Sequence, residues 1–213
     1  MGNDQLSPVA WKNPPTDPAG WLGVEHNEDG THIFGAGDPQ SYLNPAAERM
    51  NMRRGQVVSN CAALTTQVMT SVALPLMNGD VVTNLTFLSG ATQAGTPTNW
   101  WFALYDNSAT PALIAQTADQ TSTAWAANTA ITLALSAPYT ATKTGVYYAA
   151  VMVKATTPPT LAGITLENAA AAGALITGQK ILAQTSGSAL TTTAPATIAT
   201  PTTVATIPLV IAN

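Results

Sequence analysis

The stretch Gly79-Asp80-Val81-Val82-Thr83-Asn84-Leu85-Thr86-Phe87-Leu88, then a loop, then Asn99-Trp100-Trp101-Phe102-Ala103-Leu104-Tyr105, decides the fold. The first run opens on a turn dipeptide and continues β-branched and apolar. The second is aromatic and apolar and stops at the turn-forming Asp106-Asn107-Ser108. Between them, residues 89–98 are small, polar or helix-breaking. Gly and Pro extend neither the helical nor the strand period, so the reading is strand, loop, strand. Alternation puts Val81, Leu85 and Phe87 on one face and Trp100, Phe102 and Leu104 on another. The two sets are expected to meet in one core.

The same pattern runs outward from this pair. Further strands are expected over 56–59, 67–74, 112–117, 131–135, 145–154, 161–166, 178–183 and 205–211, separated by signals such as Asn78-Gly79, Ala137-Pro138, Lys143-Thr144-Gly145 and Pro158-Pro159. Many short strands at this spacing predict an all-β fold, a jelly-roll-like antiparallel β-sandwich over 55–213. The alanine run at 168–174 predicts one helical turn, and the Ser/Thr/Ala-rich stretch 185–203 predicts a long loop before the last strand.

One strand departs from simple alternation. Val146-Tyr147-Tyr148-Ala149-Ala150-Val151-Met152-Val153 is apolar on both faces, whereas a strand with one solvated face alternates. Trp101 and Tyr105 raise the same question, because Trp100, Phe102 and Leu104 already fill one side of their strand. The outer face is therefore expected to be covered by the N-terminal segment or by another subunit.

Residues 1–54 read differently. They hold eleven of the eighteen charged residues, and Pro and Gly recur from Pro8 to Pro45. Proline removes backbone donors, so an extended, Pro/Gly-rich N-terminal arm is expected, with its boundary near Arg54-Gly55. Trp11, Trp21, Ile33, Phe34 and Tyr42 recur along it, anchors for burial against a partner or against the chain's own body. A short connector helix is expected over 45–54, with Asn44 as cap and Pro45 in the first turn.

Composition excludes some classes of function. The 213 residues are 46% hydrophobic but only 8% charged, far below the usual quarter. Such a surface is solvated by hydroxyls and amides. A net charge of −4 and pI near 4.8 argue against electrostatic binding to nucleic acid or an anionic membrane. No apolar run has the length of a membrane span, and the opening residues lack the pattern of a secretory signal. The single cysteine, Cys61, reads as a small buried hydrophobe.

Catalytic patterns are weak. His26 and His32 with Glu25, Glu28 and Asp29 can ligate a metal by type, but Asn27-Glu28-Asp29-Gly30 reads first as a turn, and no metal or cofactor is expected. Glycosidase chemistry would need two of Asp80, Asp106, Asp119 and Glu167 as a carboxylate pair, and Asp80 and Asp106 sit where Asp caps turns. No nucleophile elbow, phosphate loop or dinucleotide fingerprint is present. No enzyme is expected.

The stretch 74–154 resembles a β-sandwich module of virion proteins from tailed phages of actinobacteria. The resemblance lies in Gly79-Asp80-Val81-Val82-Thr83, Leu85-Thr86-Phe87, the run from Gly95 to Tyr105, and Gly145-Val146-Tyr147-Tyr148. His26-Asn27-Glu28-Asp29-Gly30-Thr31-His32 resembles a phrase near the start of phage fibre and appendage proteins. The resemblance implies a structural protein of the virion, without cofactors: head fibre, capsid decoration or minor tail protein. It implies contact with other virion proteins and a homo-oligomer, a trimer as in fibres. On this reading residues 1–54 anchor the chain, and Trp11, Trp21, Ile33, Phe34, Tyr42, Trp101 and Tyr105 contact the particle or a subunit. The alternative is an adhesin in which Trp101, Tyr105 or Trp125 stack on host cell-surface glycans.

Overall fold

Strand formation in this chain starts from turns that close tightly. At Asn78-Gly79 the glycine takes φ +90°, a conformation costly for any side chain. Asp80 then accepts the Met77 amide at 2.7 Å, so the chain leaves one strand and re-enters the next within four residues. The computed structural model describes residues 48–213 and, upstream, the backbone of two dipeptide strands. It divides into two units, Met1–Ala46 and Ala47–Asn213.

In the first unit, β1 (Glu25–His26) pairs antiparallel with β2 (His32–Ile33), placing His26 opposite His32. The expected course of the arm and its anchors Trp11, Trp21, Phe34 and Tyr42 lie outside the described residues, as does the side chain of Ile33.

The second unit is built from β3 (Arg49–Met50), β4 (Ser59–Asn60), β5 (Met69–Leu76), β6 (Val81–Leu88), β7 (Gly95–Tyr105), β8 (Leu113–Gln116), β9 (Ala130–Thr140), β10 (Gly145–Thr157), β11 (Ala162–Thr165), β12 (Ala183–Ser186), β13 (Thr202–Thr203), β14 (Thr206–Pro208) and β15 (Val210–Ala212). Its pairings are antiparallel and nested. β7 pairs with β8, β6 with β9, β5 with β10 and β4 with β11, so each pair encloses the one inside it along the chain. β10 also pairs with β7, and the end of β6 meets the start of β11 through a bridge between Ser89 and Leu161. The last segment wedges between those two, β14 on β11 and β15 on β6. One sheet has six strands, ordered β13-β12-β5-β10-β7-β8; facing it are β3-β15-β6-β9 and the smaller β14-β11-β4.

The opening strand pair therefore lies in two different sheets, and its side chains meet across the core as expected. Leu85 and Phe87 of β6 and Trp100, Phe102 and Leu104 of β7 join one buried cluster. The rings of Phe87 and Phe102 lie 4.8 Å apart, and Trp100 stacks on Trp125 at 5.1 Å. Such pairs add about 0.5–1.5 kcal/mol each beyond the area they bury. Val81 is corrected: the ladder shifts register between Val82 and Asn84, so Val82 is buried and Val81 is half exposed. A one-residue shift moves a side chain to the opposite face.

Prolines within strands lack a donor, and two of them show how the ladder tolerates this. Pro75 sits beyond the part of β5 that β12 pairs, and Pro97 adjoins the irregularity after Lys154 in β10. Both occupy places where the ladder loses nothing.

Three other expectations are corrected. Residues 45–54 were expected to be helical, yet Arg49 and Met50 form β3 against β15, and Arg54–Gln56 make a single 3-10 turn. Tertiary pairing outweighs the weak local preference: Arg49 reaches both Asp80 oxygens at 2.7 Å. Residues 49–54, read as arm from their charge, accordingly begin the β unit. The strand expected over 178–183 starts only at Ala183, after a 3-10 turn at Ala169–Ala172 that Asn168 caps. The strand expected over 56–59 is reduced to β4, Ser59–Asn60.

Candidate functional site

β10 is apolar on both faces because it is central in the six-stranded sheet and covered on both sides. Its inner residues Tyr147, Ala149, Val151 and Val153 belong to the main core. Its outer residues Tyr148, Ala150 and Met152 belong to a second cluster with Met69, Trp101, Ala103, Tyr105, Ala194 and Ile198.

The cover is the chain's own strap, residues 187–201. Leu190, Ala194 and Ile198 pack onto the sheet, and backbone carbonyls of the strap capture polar tips rising from it. Trp101 Nε1 donates to Thr191 O at 2.7 Å, Tyr105 OH donates to Pro195 O at 2.8 Å, and Gln116 Nε2 donates to Thr192 O at 2.7 Å. Burial pushes the Tyr105 hydroxyl well above its ordinary pKa, so it stays a neutral donor. Trp101 and Tyr105 are completely buried within the chain. This corrects the expectation that an arm or second subunit covers this face, and with it their assignment as contact residues. Trp125, expected as a sugar platform, is likewise buried, its Nε1 donating to Thr129 O at 3.1 Å.

The carboxylates serve the backbone. Burial tends to raise the Asp80 pKa, but hydrogen bonds from Arg49 and Met77 and the Arg49 charge outweigh it, and the net shift is downward. Asp106 behaves alike: desolvation opposes, while Ser108, the Ala112 amide and the Lys180 charge win and lower it. Asp119 accepts from Asn99 Nδ2 at 2.7 Å and from the Trp100 amide at 2.9 Å. Asp80 and Asp106 are thus ionised turn clamps, unsuited to donating a proton near neutral pH. Cys61 is buried as expected, and desolvation, against three backbone hydrogen bonds, pushes its thiol up to about 11. A thiol so shifted is a poor nucleophile.

Among the described residues no three His, Cys, Asp or Glu gather as a metal site. The candidate ligands His26 and His32 lie outside the residues whose side chains are described.

Concavities also open among the described residues. One, about 220 Å³, is lined by Met52, Ala73, Ile164, Leu166, Leu182 and Ile207 together with Asn51 and Gln56. Its amides are engaged: Asn51 with Pro208 O and the Val210 amide, Gln56 with the Arg53 amide. Another, about 490 Å³, opens between the 109–111 turn, the 179–184 segment and the strap's end at 198–201. Tyr148 and Gln184 belong to its lining. Gln184 is only 2% exposed, and among the described residues its amide has no hydrogen-bond partner. Sequence reasoning missed Gln184 because a glutamine within an Ala/Thr-rich stretch carries no signal until a strand aims it.

No protein-family model matches this chain, and no curated protein matches it.

Proposed function

We propose that this chain is a structural protein of a tailed-phage virion, a surface appendage of the capsid-decoration, head-fibre or small tail class. Its N-terminal unit anchors it and its β unit projects outward. The observation that carries the reading is the sequence resemblance over 74–154, together with the nested pairing that frames those residues. Four enclosing antiparallel pairs support assigning a jelly-roll sandwich, β4-β11-β6-β9 against β5-β10-β7-β8 with the last strand wedged in.

The surface suits such a role. Cross-strand hydroxyls such as Thr86 and Thr132, 2.7 Å apart, and the Thr96–Thr156 pair take the place of surface charge. A body solvated this way depends little on salt or pH, as a particle outside a cell requires. Because the strap supplies the cover that pointed to a second subunit, oligomerisation into a trimer now rests on the resemblance alone.

The test is incorporation. Since β3 belongs to the β unit, the informative deletion removes residues 1–46. The expected product is a folded β unit absent from assembled particles, detected by immunolabelling. Normal incorporation of the deleted chain would overturn the anchoring role, and absence of the full chain from any particle would overturn the whole reading.

A further inference from the structure

We infer that the cleft of about 490 Å³ beside the strap is a binding site for a small neutral saccharide. This rests on the cleft alone and holds whether or not the chain belongs to a particle.

The first support is an amide presented to the cleft without a partner from the protein. Gln184 is buried to 2% exposure, lines the cleft and has no partner among the described residues. In the ladder it stands opposite Ser71, so the two side chains share the sheet's outer face. Ser71 is fully buried and its Oγ also lacks a partner. Buried polar groups are almost always satisfied; among the described residues the sealed exceptions are the hydroxyls of Ser71 and Ser186, whereas the Gln184 amide is open to a ligand through the cleft it lines. A primary amide offers a donor and an acceptor side by side, the arrangement that two neighbouring hydroxyls of a sugar complete.

Charge and shape narrow the class. Among the described residues of the lining the one cation, Lys180, already donates to the carbonyls of Asn107 and Ser108 at 3.1 and 2.6 Å and faces Asp106. Its charge is spent internally, which disfavours a phosphate or carboxylate ligand. Pro111, Pro201, Ile181 and Ile198 supply apolar walls for the C–H face of a pyranose ring. Small-molecule sites span about 300–1,000 Å³ and combine apolar lining with few placed polar groups; this cleft has that size and composition. Tyr148 closes the floor as structure, its hydroxyl donating to Ile181 O at 3.0 Å.

The experiment is an amide NMR titration of the whole chain with glucose, galactose, mannose, arabinose and N-acetylglucosamine at millimolar concentration. The expected result is saturable shifts confined to 109–111, 179–184 and 198–201 for at least one sugar. Gln184→Met, similar in volume, should weaken that binding tenfold or more. Thr110→Trp, at an exposed rim position, should block it without touching the core. Absence of shifts for all five sugars, shifts elsewhere, or unchanged binding in a folded Gln184→Met or Thr110→Trp protein would each overturn the proposal.

Discussion

The two faces of the six-stranded sheet are buried equally and covered differently. On the inner side, Trp100, Phe102 and Leu104 meet a second sheet, ring against ring. On the outer side, Trp101 and Tyr105 meet an irregular strap whose own side chains are mostly small, and backbone carbonyls bind the polar tips. The inner face is held by apolar area and packing, which are non-directional and shared among many neighbours. The outer face adds directional bonds to an irregular segment that is otherwise held by backbone bonds at Leu190, Ala196 and Ile198 and a bridge at Thr197. Equal burial thus conceals unequal robustness: the inner layer should open only with the whole unit, whereas the strap should open locally.

The sharpest break of that comparison is Phe102→Ala. It leaves a cavity between the sheets and should cost about 3–5 kcal/mol, read as a large drop in the denaturation midpoint. Cys61 reports the same event, since its buried thiol, pushed to about 11, should react with an alkylating reagent only when the unit unfolds. Phe102→Ala should accelerate that labelling.

Tyr105→Phe tests the other side. It deletes the hydroxyl that donates to Pro195 O and should cost about 1–2 kcal/mol. Hydrogen exchange should rise over 187–201 while Cys61 labelling barely changes. If both rates rose together, strap and sheet would be one cooperative layer and the distinction would fall.

The smallest expected effect is electrostatic, at the edge where β3 joins the inner layer. The folded pKa of Asp80 is lowered, so its contribution is present above the unfolded value near 3.8 and is lost as pH falls through the folded value. Asp80→Asn should therefore destabilise by about 1 kcal/mol or less near pH 7. The gap from wild type should shrink to nothing in acid; a gap that persists at pH 2 would point to a purely steric cost.

Much of the fold was legible because alternation and turn chemistry are local. Strands β5 to β10 follow from their β-branched runs and the Asn-Gly, Asp-Asn and Lys-Thr-Gly turns that separate them. Where reading failed, a distant partner intervened: Arg49 joined a sheet because Asp80 and the last strand held it. Val81 turned outward because the ladder shifts after Val82, which no local pattern announces. The candidate site was illegible for a related reason. Gln184, Lys180 and the 198–201 turn are far from the 109–111 turn in sequence, and only folding brings them to one cleft.

A charge-poor β unit, the aromatic core between β6 and β7, and a central strand that must be covered twice all follow from the residue pattern. Periodicity carries that information because side chains alternate along any strand, whatever surrounds it. What covers the second face was decided only by tertiary structure. The 187–201 strap holds few large apolar residues; it covers the sheet by packing Leu190, Ala194 and Ile198 on it and by offering Trp101 and Tyr105 backbone carbonyls that any sequence possesses.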